Sequence, residues 1–221
     1  VTTVRHSALN AADTAELERL VQRAARSRRN GLFPVMGSPG TDPDAVAELA
    51  TDCAFDHVAT LVFPRTINEV RDCLTTWGWV CAPAVPSVVV RGRLAARYAL
   101  RLEDLDVWIL HARKEGHPNL EVFCLPANRV VDIVAASERR EGNERHLALL
   151  VRNPAPETLD RLAHLMVGRL GMVPDGGGYN PHEDRAAGGR SVLYFRHPLR
   201  GRLEVTCAGE FSDVLDRHLF L

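Results

Sequence analysis

Lysine is nearly absent: Lys114 stands alone, and arginine supplies the rest of the 27 basic side chains. With Ala and Val abundant, this is the imprint of a GC-rich genome and carries no mechanism. Surplus charge is missing too. Against 28 acidic residues the formal net charge is −1, so the chain projects no long-range field, and neither a nucleic-acid backbone nor an anionic membrane is expected as a partner. No apolar run reaches the roughly 18 residues of a membrane span, and Val1-Thr2-Thr3-Val4-Arg5-His6 has no apolar stretch of secretory type. The five cysteines, at 53, 73, 81, 124 and 207, form no C-x-x-C pair, and their odd number argues against a closed disulfide set. The expectation is a cytoplasmic protein in a reducing compartment. What remains is ordinary: 46% hydrophobic and 25% charged residues over 221 positions suit one sizeable globular domain, or two small ones sharing a core, and exclude disorder and collagen-like structure.

Against this plain background the chain repeats itself. Phe55-Asp56-His57-Val58-Ala59-Thr60-Leu61-Val62 returns as Glu144-Arg145-His146-Leu147-Ala148-Leu149-Leu150-Val151, and Asn119-Leu120-Glu121-Val122 returns as Arg202-Leu203-Glu204-Val205. Each copy opens with a His and closes with a Glu. His57 and Glu121 lie 64 positions apart and His146 and Glu204 58, a difference that a surface loop absorbs cheaply. Cys124 and Cys207 keep the same place, three residues after each Glu. A repeat of this length exceeds a solenoid unit and reads as a fused pair of supersecondary modules.

Residues 11–30 have the period of an amphipathic helix, with Asp13 and Glu16 as a capping box, Leu17, Leu20, Val21, Ala24 and Ala25 on one face, and Gly31 as the stop. Asp42-Pro43 opens a second, shorter helix carrying Val46, Leu49, Ala50 and Cys53 on one side. Residues 1–54 thus form a helical N-terminal extension, a layer or lid outside the repeat. The first module, 55–126, reads as a strand over 57–63, a helix after Thr66-x-x-Glu69 with Ile67, Val70, Leu74 and Trp77 inward, and strands over 79–90, 105–112 and 120–125. Residues 127–143 form a charged connector. The second module, 144–221, repeats the order: a strand over 146–151, a helix with Leu159, Leu162, Ala163, Met166 and Leu170 stopped by Gly171, and strands over 171–173, 191–195 and 203–207. The segment 174–189, with Gly176-Gly177-Gly178, is expected to be a polar, mobile loop. The triplet lacks the Lys-Ser/Thr that a nucleotide-binding loop needs. The fold class expected is α+β: two tandem βαβββ modules forming a cupped mixed sheet, with the helical extension added.

A neutral imidazole and a carboxylate both offer lone pairs at neutral pH, so His57, Glu121, His146 and Glu204 are the candidate metal ligands. Two neutral imidazoles and two carboxylates balance a dication and leave two positions of a six-coordinate ion for paired substrate oxygens; Fe, Mn, Co, Ni and Zn all suit such a donor set. Alternation along the strands puts Ala59 and Leu61 behind His57, and Ala148 and Leu150 behind His146, giving an apolar pocket floor; Cys124 and Cys207 turn the other way as buried thiols. Arg91, Arg93, Arg97 and Arg101 form a basic run in which Arg97 is a candidate for holding a substrate anion, although a solvated face is the simpler reading. Tyr179, with His182 and Asp184, is a candidate contact from the Gly-rich segment. His111, His117, His164, His182, His197 and His218 have no partner in the repeat and are expected at the surface.

The second copy ends in Tyr194-Phe195-Arg196-His197-Pro198-x-x-Gly201-Arg202-Leu203-Glu204-Val205, and with the βαβββ repeat this resembles the vicinal oxygen chelate superfamily, which includes glyoxalase I, extradiol dioxygenases and bleomycin-resistance proteins. Residues 55–210 are covered. His197 replaces the Asp common in that ending, and the first copy, with Asn119-Leu120-Glu121, lacks the Asp-Pro-x-Gly run. The resemblance implies one divalent metal in a cup between the modules, held by His57, Glu121, His146 and Glu204. It also implies a small-molecule substrate chelated through adjacent oxygens, with Glu121 or Glu204 as the catalytic base. The function expected is an isomerase or epimerase of glyoxalase type. Two alternatives stand beside it, an extradiol-type ring-cleaving dioxygenase and a metabolite- or antibiotic-binding resistance protein that needs no metal. Both modules lie in one chain, so a monomer completes the site; a homodimer is compatible.

Overall fold

A computed structural model of the chain describes residues 9–28, 41–128, 131–198 and 201–218. Two helices come first, α1 (Ala11–Arg28) and α2 (Pro43–Asp52). The α1 N-cap is Asn10, whose Oδ1 accepts the Asp13 backbone N–H at 2.9 Å while its Nδ2 donates to Asp13 Oδ2 at 2.6 Å, so the capping pair sits three residues earlier than Asp13 and Glu16. The expected stop at Gly31 lies outside the described residues. Asp42 caps α2 as its sequence predicts, its side chain accepting from Asp44 N and Ala45 N.

The first repeat follows as β1 (Cys53–Val62), α3 (Ile67–Thr76), the two-residue strands β2 (Val80–Cys81) and β3 (Val85–Pro86), α4 (Val88–Tyr98), β4 (Trp108–Arg113) and β5 (Asn119–Cys124). Helix α5 (Val131–Glu141) occupies the connector. The second repeat comprises β6 (His146–Val151), α6 (Pro156–Gly168), β7 (Val173–Asn180), β8 (Arg190–His197) and β9 (Gly201–Ala208), and α7 (Ser212–His218) follows it. All nine strands form a single sheet in the order β2-β4-β5-β1-β6-β9-β8-β7, with β3 also on β4. Within each half the first strand lies parallel to the last, β1 on β5 and β6 on β9, and the halves join where β1 meets β6 antiparallel. The two halves thus share this strand pairing, while α4 and the short strands β2 and β3 belong to the first alone.

Odd and even positions divide the core. Val58, Val62, Leu120, Val122 and Cys124 pack on one face against Leu17, Leu20 and Ala24 of α1 and Val70 and Leu74 of α3. Each fully buried leucine there contributes roughly 1.5–3 kcal/mol. The same face continues into Leu149, Leu193, Phe195 and Val205, covered by α2, α6 and α7. On the opposite face of the first half, Ala59, Leu61, Ile109 and Phe123 lie under Val90 and Leu94 of α4 and Val131 and Val134 of α5. All five cysteines are free thiols, with Cys124 and Cys207 buried. No helix among the described residues is long and apolar enough to cross a membrane.

Two expectations fail, for identifiable reasons. The predicted strand over 79–90 breaks into β2 and β3 and then becomes helix α4. Pro83 and Pro86 remove ladder donors, and Val88-Val89-Val90, strand-like by propensity, turns helical because Val90, Leu94 and Ala95 bury together at helical spacing. Of the Gly-rich segment expected as a mobile loop, the first part, including the Gly176-Gly177-Gly178 triplet, is instead strand β7, with a register shift between Pro174 and Gly177. Two of its glycines lie close under α4: a Cβ on Gly178 would lie 3.0 Å from Val89 Cγ2, tight enough that Val89 would have to shift, and one on Gly176 would meet the Arg93 guanidinium.

Candidate metal centre

Register decides where the four residues from the repeat fall. Glu121 pairs with Ala59 and Ala59 with His146; His57 pairs with Ala148 and Ala148 with Glu204. Partners across a ladder share a face, so two rows cross the β1/β6 junction, each with an alanine between a carboxylate and an imidazole. Both alanines are fully buried, and their single methyls leave the longer side chains room to lean together. His57 Nε2 stands 3.3 Å from Glu121 Oε2 and 4.0 Å from Glu204 Oε1, and His146 Nε2 stands 3.1 Å from Glu204 Oε2 and 3.6 Å from Glu121 Oε2. One ligating atom from each of the four lies within 4.8 Å of the others, and all four residues are buried. Ala148→Leu is expected to fill this space: metal content measured after reconstitution falls close to zero, and overpacking lowers stability by about 1–3 kcal/mol in denaturant titration.

The outer nitrogens are spoken for. His146 Nδ1 donates to the Glu144 carbonyl at 2.9 Å, and His57 Nδ1 meets Asp56 Oδ2 at 2.9 Å. Neighbours on a regular strand point to opposite faces, but the β1–β6 register shifts between Phe55 and His57, and this bulge swings Asp56 beside the ring. With Nδ1 engaged, each Nε2 faces the carboxylates. His57 Nε2, His146 Nε2 and Glu121 Oε2 are buried and find no hydrogen-bond partner among the described residues. A cation or bound protons must hold such a cluster together. Burial opposes charge on both rings, but Glu121 and Glu204 outweigh it: His57 is raised well above its ordinary pKa and His146 to about 9. Burial likewise works against the Glu121 carboxylate, and the charge of His57, with both imidazole rings close by, holds it well below its usual range. In the metal-free protein the two carboxylates thus favour a proton on each ring.

A sign follows for pH. His146, raised from 6.5 to about 9, adds stability to the metal-free fold that is fully present below the lower value and is lost as pH rises through the upper one. The metal-free protein is expected to lose several degrees of Tm between those limits in thermal scans. Metal binding needs neutral imidazoles, so the gain in Tm on adding metal is expected to grow over the same range. A gain that shrinks with rising pH would contradict this ligand set.

Beside the four lies a second group that sequence reasoning missed. His111, across the ladder from Glu121, stands 3.5 Å from Glu183, and His111, Glu121 and Glu183 offer ligating atoms within 4.8 Å of one another. Arg190 lies 3.1 Å from Glu183 and 3.5 Å from Asp56. Burial, with Glu121 close by, pushes the Glu183 carboxyl up to about 8. Asp56, His57, His111, Asn119, Glu183 and Arg190, together with Ala82, Arg113 and Asp184, surround a cavity of about 240 Å³. Asp184, next to Glu183, holds a left-handed conformation (φ 47°) that is strained for a residue with a side chain.

No protein-family model matches the chain, and no curated protein does. Among solved structures it is similar to methylmalonyl-CoA epimerase from Mycobacterium tuberculosis, with 12% identity and a TM-score of 0.40 over 71% of this chain and 88% of that one. It is similar at the same identity and TM-score to two variants of the Streptomyces coelicolor methylmalonyl-CoA epimerase in complex with 2-nitronate-propionyl-CoA, over 71% of this chain and 97% of theirs. At this level of similarity neither activity nor substrate transfers.

The remaining sequence candidates lie elsewhere. Arg97 does not line the cavity: its guanidinium is held by Glu138 at 2.6 Å and Glu144 at 2.7 Å, a structural ion-pair network. Tyr179 packs against the core on the opposite face and donates to the Gly188 carbonyl at 2.8 Å; strand alternation in β7 turns it away from the ligands. His111 and His218, expected at the surface, are respectively part of the cavity wall and buried against Asp160 at 2.7 Å. The one signal for this group in the sequence is the run His182-Glu183-Asp184, whose middle member is the buried one.

Proposed function

We propose that the chain is a divalent-metal enzyme that moves a proton next to a carbonyl, an isomerase or epimerase, with the ion held by His57, Glu121, His146 and Glu204. The observation that carries this reading is the set of buried, unpartnered atoms, His57 Nε2, His146 Nε2 and Glu121 Oε2, converging while both Nδ1 atoms are occupied. Outer partners that orient ligand histidines in this way are a general feature of metal sites. A protein that merely sequesters a metabolite has no use for such a cluster. Fe, Mn, Co, Ni and Zn all suit the donor set.

An ion held there supplies Lewis acidity, drawing electrons from a substrate carbonyl and its adjacent oxygen so that the neighbouring C–H becomes acidic. The protein's own groups then manage the proton. Glu121 borders His111 and Glu183 on the cavity side and is the better placed of the two ligand carboxylates to take it; Glu204, deeper and nearest His146, holds its position opposite. Ring-cleaving oxygenases leave three faces open with one carboxylate, whereas here both carboxylates stand within 3.3 Å of an imidazole nitrogen, which favours the isomerase. The extension 1–54, the modules 55–126 and 144–221 and the connector 127–143 remain the division we infer, with β1 starting two residues before the first module. All four ligands come from one chain, so a monomer suffices for a small-molecule substrate. Elemental analysis of purified protein is expected to give one equivalent of divalent metal, removed by chelator together with turnover; protein that takes up none overturns the reading.

A further inference from the structure

Two spaces adjoin the centre, and they differ in kind. Beside Glu121 and Glu204 is a void of about 10 Å³, where Val89, Val90, Ile109, Phe123 and Val192 meet Ser87, Asn180, Glu183 and Tyr194. That is room for hardly one water molecule. Helix α4 fills the apolar hollow, so no flat ring or acyl chain lies there in this conformation. On the other side of His57 is the cavity of about 240 Å³, near the lower end of small-molecule sites (~300 Å³). Among its described lining residues Ala82 alone has a purely apolar side chain, and Glu183 alone borders both spaces.

The wall of this cavity mixes donors with acceptors. Arg113 and Arg190 face Asp56, Asp184 and Glu183, so no surplus of cations is present to draw a phosphate or a coenzyme A tail. Arg190 Nε and Glu183 Oε1 are 3.1 Å apart and buried, yet neither has a hydrogen bond of proper geometry. Glu183 is 6% exposed and, with Arg190, lines the cavity. A hydroxyl group both donates and accepts, which matches this pair as neither a thioester nor an aromatic face does.

We propose that this cavity seats a compact, uncharged polyhydroxy carbonyl compound, a short free sugar, and that Glu183 and Arg190 set specificity by bonding its hydroxyls. The inference rests on the metal-dependent isomerase reading, because the carbonyl end must reach past His57 to the four ligands. The size of the cavity leaves no room for a whole coenzyme A thioester, and its polar wall offers no apolar surface for the ring of a catechol.

The test is calorimetric titration of Mn²⁺-loaded and metal-free protein with dihydroxyacetone and D-fructose, with catechol and propionyl-coenzyme A as contrasts. Metal content is measured separately on every sample. Saturable binding of a ketose is expected, weakened at least tenfold by Ala82→Trp, which fills the cavity from its exposed rim, and by Arg190→Met, with metal content and unfolding midpoint of the Ala82 variant unchanged. Catechol or thioester binding in place of ketose, or ketose binding indifferent to Ala82→Trp, overturns the proposal while leaving the metal reading intact. If the protein takes no metal, the isomerase reading fails by that measurement. The metal-free titration then still decides the sugar seat: saturable ketose binding sensitive to Ala82→Trp supports it, and no binding overturns it.

Discussion

Replacing Glu204 with Gln is expected to lower metal content and turnover together. The carboxylate is 2% exposed and its Oε2 lies 3.1 Å from His146 Nε2. Gln keeps the shape but removes one of the two charges that balance the ion, and offers one ligating oxygen in place of two. Loss of an outer partner typically weakens metal binding about 10–100-fold, so loss of a ligand is expected to exceed roughly 100-fold by competition with a chromogenic chelator. Because the substitution is isosteric, the metal-free variant should unfold cooperatively and remain soluble. Full metal occupancy and full turnover in Glu204→Gln would show that the residue has neither role, and full occupancy with turnover abolished would leave it only the part of a base.

Glu144→Ala should strike the fold harder than the centre. The Glu144 side chain is fully buried, with Oε1 2.7 Å from Arg97 and Oε2 2.8 Å from Arg202, whose own side chain is 2% exposed. Arg93 approaches the same carboxylate at 3.5 Å, and Arg93 and Arg202 lie 4.9 and 4.6 Å from the ring centroid of Tyr194. Removing one partner of a buried pair strands the other charge, a loss of about 3–5 kcal/mol. At roughly 2–4 °C per kcal/mol for a chain of this size, Tm should fall by about 10 °C. The backbone carbonyl of residue 144, not its side chain, supports His146, so folded protein should still bind metal. An unchanged unfolding midpoint would mean that Asp175, which also pairs with Arg202, neutralises the cluster unaided.

How much of this was legible in the chain depended on the repeat. Two His and two Glu at matched places in two copies had to occupy matched places in a sheet, because period and pairing fix the face of every strand residue. Ala59 and Ala148 behind the histidines followed from the same alternation. Residues outside the repeat had no such tether. Asp56 reaches His57 only through a bulge, and its counterpart Arg145 goes instead to Glu16 on α1 at 2.7 Å. Glu183 enters from a segment whose glycines spoke for a mobile loop, when Gly176 and Gly178 lie against Arg93 and Val89 of α4. Helix α4 was hidden by three consecutive valines, since local propensity favoured a strand and burial of one helical face overruled it.

The broken symmetry at Asp56 has an electronic consequence. One imidazole leans on an anion and the other on a neutral peptide oxygen, so His57 is the stronger electron donor of the two. A paramagnetic ion bound between them should report two unequal nitrogen hyperfine couplings, and Asp56→Asn should bring them closer together. The two halves would then differ in bonding as well as in sequence, giving a ligand field with a strong and a weak side.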